Sequence, residues 1–492
     1  MIRSMKNAFA PVNRIPRDVL SIIPDYLEDG DLIRLTHVCH DWRELLISRP
    51  SLWTCLDWAN VEKTRVYIER SKSSPLDVYL GEEDEKYFPF LNDAFLLTVP
   101  HLRRLRSLTL SGSSDNVVEI INTHLDNFPA PFLEKLKIRF SADPHIINAA
   151  ILDRNRSSLR ELRLSGVLTS LPWKNLANLT TFDFRQVPSS KISVTQLLDF
   201  FVYTPLLSKI QLWNALPTTS DAPLGRVVSL PRLKKLTIIA QPAHSLLLKH
   251  LSIPNGASLD LEFDFNSEKS PIPDYLPKTL KYLNNLSHIT TINVYCNPEV
   301  SLRLGGPSGG LYIFGTWTGV ATSLPAVYRR VLRSLNHFNI SMTERFMITA
   351  YSTPSPPGIE RPPPHQTLPL MKALHTLILI DCYNAPFVSA LNPNRISSGA
   401  LVCPKLEELV LYIKRKEWFC ISELLGMVEE RSSRGAALST ITIFSSQEFV
   451  PAKEVLKLRD HVSCVEYRLD DVVPGWDELS NDVEDFGYES DW

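Results

Sequence analysis

The sequence has no Cys-x-x-Cys pair. Its seven cysteines, Cys39, Cys55, Cys296, Cys382, Cys403, Cys420 and Cys464, are scattered and odd in number. That argues against a disulfide framework and a zinc cage, and fits a reducing compartment. No apolar run approaches the roughly 18 residues that a helix needs to cross a bilayer. The opening MIRSMKNAFAPVNR lacks the apolar core of a secretory signal. Neither sign of charge is in excess: 52 Lys and Arg stand against 54 Asp and Glu, a formal net charge of -2. There is thus no general pull toward nucleic acid or an anionic membrane. Glycine is scarce at 18 while proline reaches 36, so short elements separated by stiff turns are expected. The expectation is a cytoplasmic and/or nuclear protein with neither nucleic acid nor membrane as partner.

Enzyme signatures are missing too. GGPSGG at 305–310 is not followed by G-K-[ST] and is no phosphate loop. H-E-x-x-H, G-x-S-x-G and G-x-G-x-x-G do not occur. The reading is therefore non-enzymatic, with no catalytic residue, cofactor or metal assigned. A local cluster of His37, Cys39 and His40 carries zinc-binding residue types. On a helix His37 and His40 share a side while Cys39 points elsewhere, and no partner cluster lies nearby, so it is not read as a metal site.

What is present is an ordinary globular composition, 44% hydrophobic and 22% charged over 492 residues. That is chain for about three domains, or for one domain and a long array. Near the start, Leu32, Leu35, Cys39, Trp42 and Leu46 step by three and four, flanked by Val38 and Leu45. This predicts one apolar face on a single helix or on two short ones. Asp31 is the expected N-cap. Upstream, NRIPRDVLSIIPDYL predicts a helix with Pro16 at its first position and Val19, Leu20, Ile23 and Leu27 on its apolar face. So small a helical core cannot hide this much apolar surface, and the remainder marks either a partner site or the face on which these helices cap the next domain.

The ordered set Ile15-Pro16, Val19-Leu20, Ile23, Asp31-Leu32, Arg34-Leu35, Val38-Cys39, Trp42-Arg43 and Leu45, then Pro50–Trp53, resembles an F-box over residues 12–58. Pro24 departs from that pattern and should kink or end the first helix. The resemblance implies a three-helix all-α domain that binds a Skp-family adaptor and, through it, a cullin–RING ubiquitin ligase. By the same resemblance Ile15, Pro16, Leu20, Ile23, Leu32, Leu35, Val38, Cys39, Trp42 and Leu45 face the adaptor or support that face, with Trp42 alternatively half in the core.

Past residue 100 a pattern L-x-x-L-x-L recurs, starting at 105, 133, 159, 179, 207 and 233, so at spacings of 28, 26, 20, 28 and 26. Weaker copies follow near 257, 289, 374, 406, 438 and 462. Such spacing resembles leucine-rich repeats, and the pairing with the N-terminal motif resembles fungal-type F-box/leucine-rich-repeat proteins. The expected fold class is an N-terminal all-α F-box followed by an irregular α/β leucine-rich-repeat solenoid, a horseshoe. One repeat cannot bury its own apolar face and stacks on its neighbours to do so.

The expected organisation is an F-box at 12–58 and a linker or irregular first repeat at 59–100. A repeat-like domain at 101–469 follows, with an irregular insertion at 297–370, and then an acidic, disordered tail at 470–492. Strand residues that alternate with the buried leucines would form the concave face. They predict a basic patch of Lys135, Lys137, Arg139, Arg163, Arg185, Lys209 and Lys235, interrupted by Glu161 and Asp183. An apolar patch of Ile378, Ile380, Val410, Tyr412 and Phe444 would follow. A basic patch suits an acidic or phosphorylated protein target; the alternative is that these are ordinary solvated strand lysines and arginines. The functional expectation is a substrate receptor of a Skp–cullin–F-box type ligase with an unknown protein target. The alternatives are a non-ligase scaffold and, from another class, an enzyme with an unrecognised site in 297–370.

Overall fold

The computed structural model describes residues 15–58, 60–80, 88–112, 130–140, 145–146, 157–168, 174–186, 192–217, 219–239, 244–262, 276–297, 299–316, 324–350, 364–382, 384–395, 400–416, 419–445 and 450–469. The chain divides into two units, Met1–Pro217 and Thr218–Trp492. The expected acidic tail and most of the proline-rich stretch at 352–366 lie outside the described residues.

The first unit opens with short helices: α1 (Arg17–Ile22), a 3-10 turn (Ile23–Tyr26), α2 (Asp29–Leu35), α3 (His40–Ile47) and a second 3-10 turn (Pro50–Trp53). α1 stops at Ile22 because Pro24 has no N–H for a further helical bond, and the chain tightens to 3-10 with the Pro24 ring buried. Two expected caps move. Pro16 is the N-cap of α1 rather than its first residue, and Glu28 caps α2. Asp31 lies inside α2 and pairs instead with Arg34 one turn on, at 2.8 Å.

The sheet begins earlier than residue 101. β1 (Cys55–Asp57) and β2 (Leu76–Leu80) already pair in parallel, with α4 (Val61–Ser71) between them. Three residues of β1 are too short to show the leucine spacing. α5 (Phe88–Thr98) then leads to β3 (Leu105–Gly112), β4 (Lys135–Phe140), β6 (Glu161–Ser165), β8 (Thr181–Arg185) and, after α6 (Val194–Tyr203), β9 (Lys209–Trp213). Each strand pairs in parallel with the one before. The two-residue strands β5 (His145–Ile146) and β7 (Val167–Leu168) form a separate pair. α6 starts cleanly because Ser193 and Gln196 cap it reciprocally.

The second unit contains β10 (Val228–Ser229) paired with β12 (Leu251–Ser252), around α7 (His244–Leu248), and a larger sheet. That sheet runs β11 (Lys235–Ile239), β13 (Ala257–Glu262), β16 (Gly309–Thr316), β15 (Glu299–Gly306), β14 (Thr291–Asn297), β17 (Arg345–Ala350), β18 (Thr376–Ile380), β19 (Glu408–Ile413), β20 (Thr440–Ser445) and β21 (Cys464–Leu469). SLRLGGPSGGLYIFGT forms the β15–β16 hairpin. It is folded back so that β16 joins β13 and β15 runs antiparallel to both its neighbours. Gly306 and Gly309 are required there. A Cβ on either would overlap a backbone carbonyl, that of His288 or Ala257, and Gly309 holds a φ of +111°.

α8 (Leu324–Ser334), α9 (Pro364–Thr367), α10 (Ala385–Leu391), α11 (Ile421–Ser433) and α12 (Ala452–Arg459) return between the later strands and pack side by side in sequence order. Right-handed crossovers put such helices on one face of a parallel sheet. Leu377, Leu379, Leu409, Leu411, Ile441 and Ile443 are fully buried and form the core.

Two hydrogen-bond patterns repeat along the strands. At the strand entries a backbone carbonyl accepts from the next strand: Glu134 N–H to Arg106, Arg160 to Glu134, Thr180 to Arg160 and Ser208 to Thr180, each 2.8 Å. The second unit repeats it through Thr290, Glu344, His375, Glu407, Ser439 and Cys464 at 2.8–3.0 Å. At several exits the chain turns through a left-handed residue: Gly166, Gln186, Asn214 and Asp381, with φ from 48° to 65°. The N–H groups of Gly166, Gln186 and Asp381 donate to carbonyls at the ends of the following strands, those of Arg185, Trp213 and the penultimate Tyr412.

No helix of the described residues is long and apolar enough to cross a membrane. The thiols divide sharply. Burial pushes Cys296 and Cys403 up to about 12 and raises Cys382 as well, while Cys55, Cys420 and Cys464 are exposed. Since only the thiolate reacts, Ellman's reagent at neutral pH should modify Cys55, Cys420 and Cys464 in the native protein. Cys296, Cys382 and Cys403 should appear only in denaturant, and prompt labelling of any of those three would refute the packing around them.

Candidate functional site

The N-terminal helices bury one side and leave another bare. Leu20, Leu32, Trp42, Leu46 and Trp53 form the small core. The Trp53 indole N–H donates to the Leu46 carbonyl at 2.9 Å, and its ring meets Tyr67 of α4 edge-on at 5.1 Å. The Arg70 guanidinium lies 4.3 Å over the other side of Trp53. Arg49 clamps the first corner, donating to the Ser21 carbonyl and to both oxygens of Asp25 at 2.9 and 3.1 Å.

Against that core stands an uncovered stripe. Val19, Ile22, Ile23 and Tyr26 follow one another at i, i+3, i+4 and i+7 and are 46%, 52%, 37% and 84% exposed. Ile33 of α2 and Val38 of the α2–α3 turn are exposed as well. A stripe at helical spacing normally faces a core; here no described residue covers it. Of the ten residues expected at an adaptor, Pro16, Ile23 and Val38 are exposed, and Ile15, Leu35, Cys39 and Leu45 are half-buried. Leu20, Leu32 and Trp42 are in the core, so they hold the surface in place rather than present themselves on it. Ile22 and Tyr26 are surface residues outside the motif positions, and Val19, a motif position, is not among those expected at the adaptor. Their signal was available in the i, i+3, i+4, i+7 spacing.

The opening histidines take no metal geometry. His37 is exposed in the turn, Cys39 is the N-cap of α3, and His40 begins α3 with its Nε2 3.4 Å from Glu44. Among the described residues no group of three or more His, Cys, Asp or Glu could hold a metal ion.

The sheet face opposite the core carries the other expected set. In the first unit its cations meet carboxylates on the same face. Glu161 lies 3.9 Å from Lys135, 3.6 Å from Lys137 and 2.7 Å from Arg163. Asp183, fully buried, receives both Nε and Nη2 of Arg185 at 2.7 Å, and that guanidinium also sits 5.2 Å from the Trp213 ring. In the second unit Lys235 pairs with Asp260 at 3.2 Å. Burial raises the Asp260 carboxyl above its usual range in spite of that lysine. Arg139 and Lys209 are half-buried on the same face. Lys135, Lys137, Arg163, Arg185 and Lys235 of the expected basic patch thus sit in ion pairs, the first three with Glu161.

In the second unit the later strands carry apolar residues at the positions turned away from the leucine core. Ile380, Tyr412 and Phe444 share one register row across β18, β19 and β20, with Arg468 of β21 next in line. They cluster with Met347, and Ile378 and Val410 pack against them. Tyr412, expected on the target-binding face, is 4% exposed.

No curated protein matches the chain. F-box domains in general bind Skp-type adaptors, and residues 12–57 match the F-box-like family model, so the uncovered stripe lies on an F-box-like domain.

Proposed function

We propose that this chain is the substrate-recognition subunit of a Skp–cullin–F-box type ubiquitin ligase. One observation carries the reading: Val19, Ile22, Ile23 and Tyr26 form an apolar stripe, bare of cover, on the F-box-like domain. Exposed apolar surface of this kind is retained where a partner buries it. A Skp-family adaptor is the partner that such a domain takes. In this reading the buried Leu20, Leu32 and Trp42 hold the domain together, and Ile15, Pro16, Leu35, Val38, Cys39 and Leu45 would add to the adaptor contact.

The remainder of the chain is taken as a leucine-rich-repeat-like solenoid that holds the target. Support comes from the repeated strand-entry carbonyl ladder, the left-handed exits at Gly166, Gln186, Asn214 and Asp381, and the parallel register. The target would meet Lys135, Lys137, Arg139, Arg163, Arg185 and Lys209 in the first unit, and Lys235 and Tyr412 in the second. In this reading the chain catalyses nothing itself and works by positioning, in cytoplasm or nucleus.

The test is reconstitution. Purified chain should capture a Skp-family adaptor, and with the cullin–RING partners it should direct ubiquitin onto proteins that it co-purifies with. Adaptor capture without any ubiquitin transfer would leave a scaffold and end the receptor reading. No adaptor capture would end both.

A further inference from the structure

We propose that a pocket of the first unit, between α1, α3 and the end of α4, binds a phosphorylated side chain carried on a protein segment. The pocket has a volume of about 650 Å³. Arg17, Arg43 and Lys72 line it, and Leu45 and Ile47 give it an apolar wall. The three cations are exposed, and among the described residues none of them forms an ion pair. In this they differ from the cations of the sheet face, which meet Glu161, Asp183 and Asp260. Asp41 and Glu44 also line the pocket, and the His40 ring stands 3.8 Å from the first and 3.4 Å from the second.

The charge of Arg43 is felt by another guanidinium. Arg70, in the last turn of α4, is held below the usual arginine range, first by burial and then by Arg43. Lys72 supplies a separate observation. It follows α4 with φ +50° and ψ −113°, a backbone that glycine takes freely and a side chain with a Cβ resists. A lysine kept in a strained conformation points to use of its side chain. On α1, at about 100° per residue, Arg17 lies on the far side from Val19 and Ile22, so these cations are set apart from the apolar stripe.

A phosphoryl group suits this set. It carries about −1.5 to −2 charges near neutrality and three acceptor oxygens. The guanidinium forks take oxygens in pairs, and the lysine adds a point charge. A free phosphate ion would leave most of the volume and the Leu45–Ile47 wall unused, whereas a pocket of this size accommodates a larger ligand. The phosphate is therefore assigned to a protein segment whose neighbouring residues fill the rest. The inference does not rest on the receptor reading.

The experiment measures fluorescence anisotropy of a dye-labelled nonapeptide with the full chain and no adaptor present. The peptide holds one central phosphoserine among glycine, serine and leucine, and its unphosphorylated twin is the control. The phosphopeptide should bind at least about tenfold tighter than the twin, and the difference should shrink at 1 M salt. Arg43→Gln should weaken it about tenfold. Lys72→Gly should weaken it about fivefold and yet raise the unfolding temperature, because glycine suits that backbone; a purely structural lysine would not move the two in opposite directions. Arg34→Gln, whose guanidinium is already paired with Asp31, should bind as the wild type does. Equal affinity for the phosphopeptide and its twin overturns the proposal. So does a preference that survives in both Arg43→Gln and Lys72→Gly. Inorganic phosphate that matches the peptide as a competitor, mole for mole, would overturn the assignment to a protein segment. Since no adaptor takes part, failure of the receptor reading leaves the result unaffected.

Discussion

Ile22→Asp should weaken capture of a Skp-family adaptor by at least about 100-fold, while thermal unfolding and circular dichroism stay as in the wild type. Ile22 is 52% exposed in the free chain, so a carboxylate there stays in water and costs the fold little. Under a partner the same carboxylate loses its water with no partner in an apolar stripe, a cost of about 3 kcal/mol or more. At 1.4 kcal/mol per tenfold, that is about 100-fold. Val19→Asp should act alike. Leu32→Asp and Trp42→Ala are poorer probes, since both residues lie in the small core. Large-to-small changes of a buried tryptophan cost about 3–5 kcal/mol of stability, so loss of binding in those variants would not separate contact from unfolding. Wild-type affinity in both Ile22→Asp and Val19→Asp would rule the stripe out as the adaptor surface.

Arg431→Ala should cost about 3–5 kcal/mol and lower the denaturant midpoint of the second unit more than any surface substitution. The side chain is fully buried on α11, and burial lowers its affinity for the proton. Its Nη1 donates to the Val402 carbonyl at 2.8 Å and its Nη2 to that of Cys403 at 2.9 Å. Cys403 is held at a positive φ of 49°, in the segment that leads into β19. Removing the guanidinium leaves two buried carbonyls without donors and opens a cavity. Arg431→Lys should do scarcely better, because one ammonium cannot reproduce the two-pronged fork and remains a buried charge. Arg431→Met, which fills the space without a charge, should fall between them and the wild type. Urea unfolding followed by tyrosine fluorescence measures all three, and an Arg431→Ala midpoint equal to the wild type would show the fork to be dispensable.

The parts of this chain that were legible in its sequence were those governed by local rules. Pro24 ended the first helix, as a missing N–H must. The spacing of LRELRLSG and its relatives placed the strands and their buried leucines, and GGPSGG marked a hairpin whose glycines face backbone carbonyls. What failed depended on partners far along the chain. Asp31 reads as a cap, but the helix already starts at Asp29, after the extended Glu28, and takes in Asp31 as its third residue. The cations from Lys135 to Lys235 read as a patch because one strand shows only its own charges. Glu161 meets Lys135 and Lys137 only once register has set β4 beside β6. In the F-box-like stretch the motif drew attention to Leu20 and Leu32, which are the foundation. Of the exposed stripe, Val19 and Ile23 are motif positions, while Ile22 and Tyr26 lie between them.

The folded-back hairpin sets a limit on how the second unit can be pulled apart from its C-terminal end. Traction there draws first on β21, which pairs with β20 alone among the described strands, and then on β20, β19, β18 and β17, each left at an open edge when its turn comes. The next strand along the chain is β16, and it is not at an edge: β15 grips one side and β13 the other. Tension that has been opening the sheet one seam at a time must there break two seams together in shear. The hairpin would act as a ratchet stop, so an unfolding motor working from that end would stall after β17 and leave the strands before it standing.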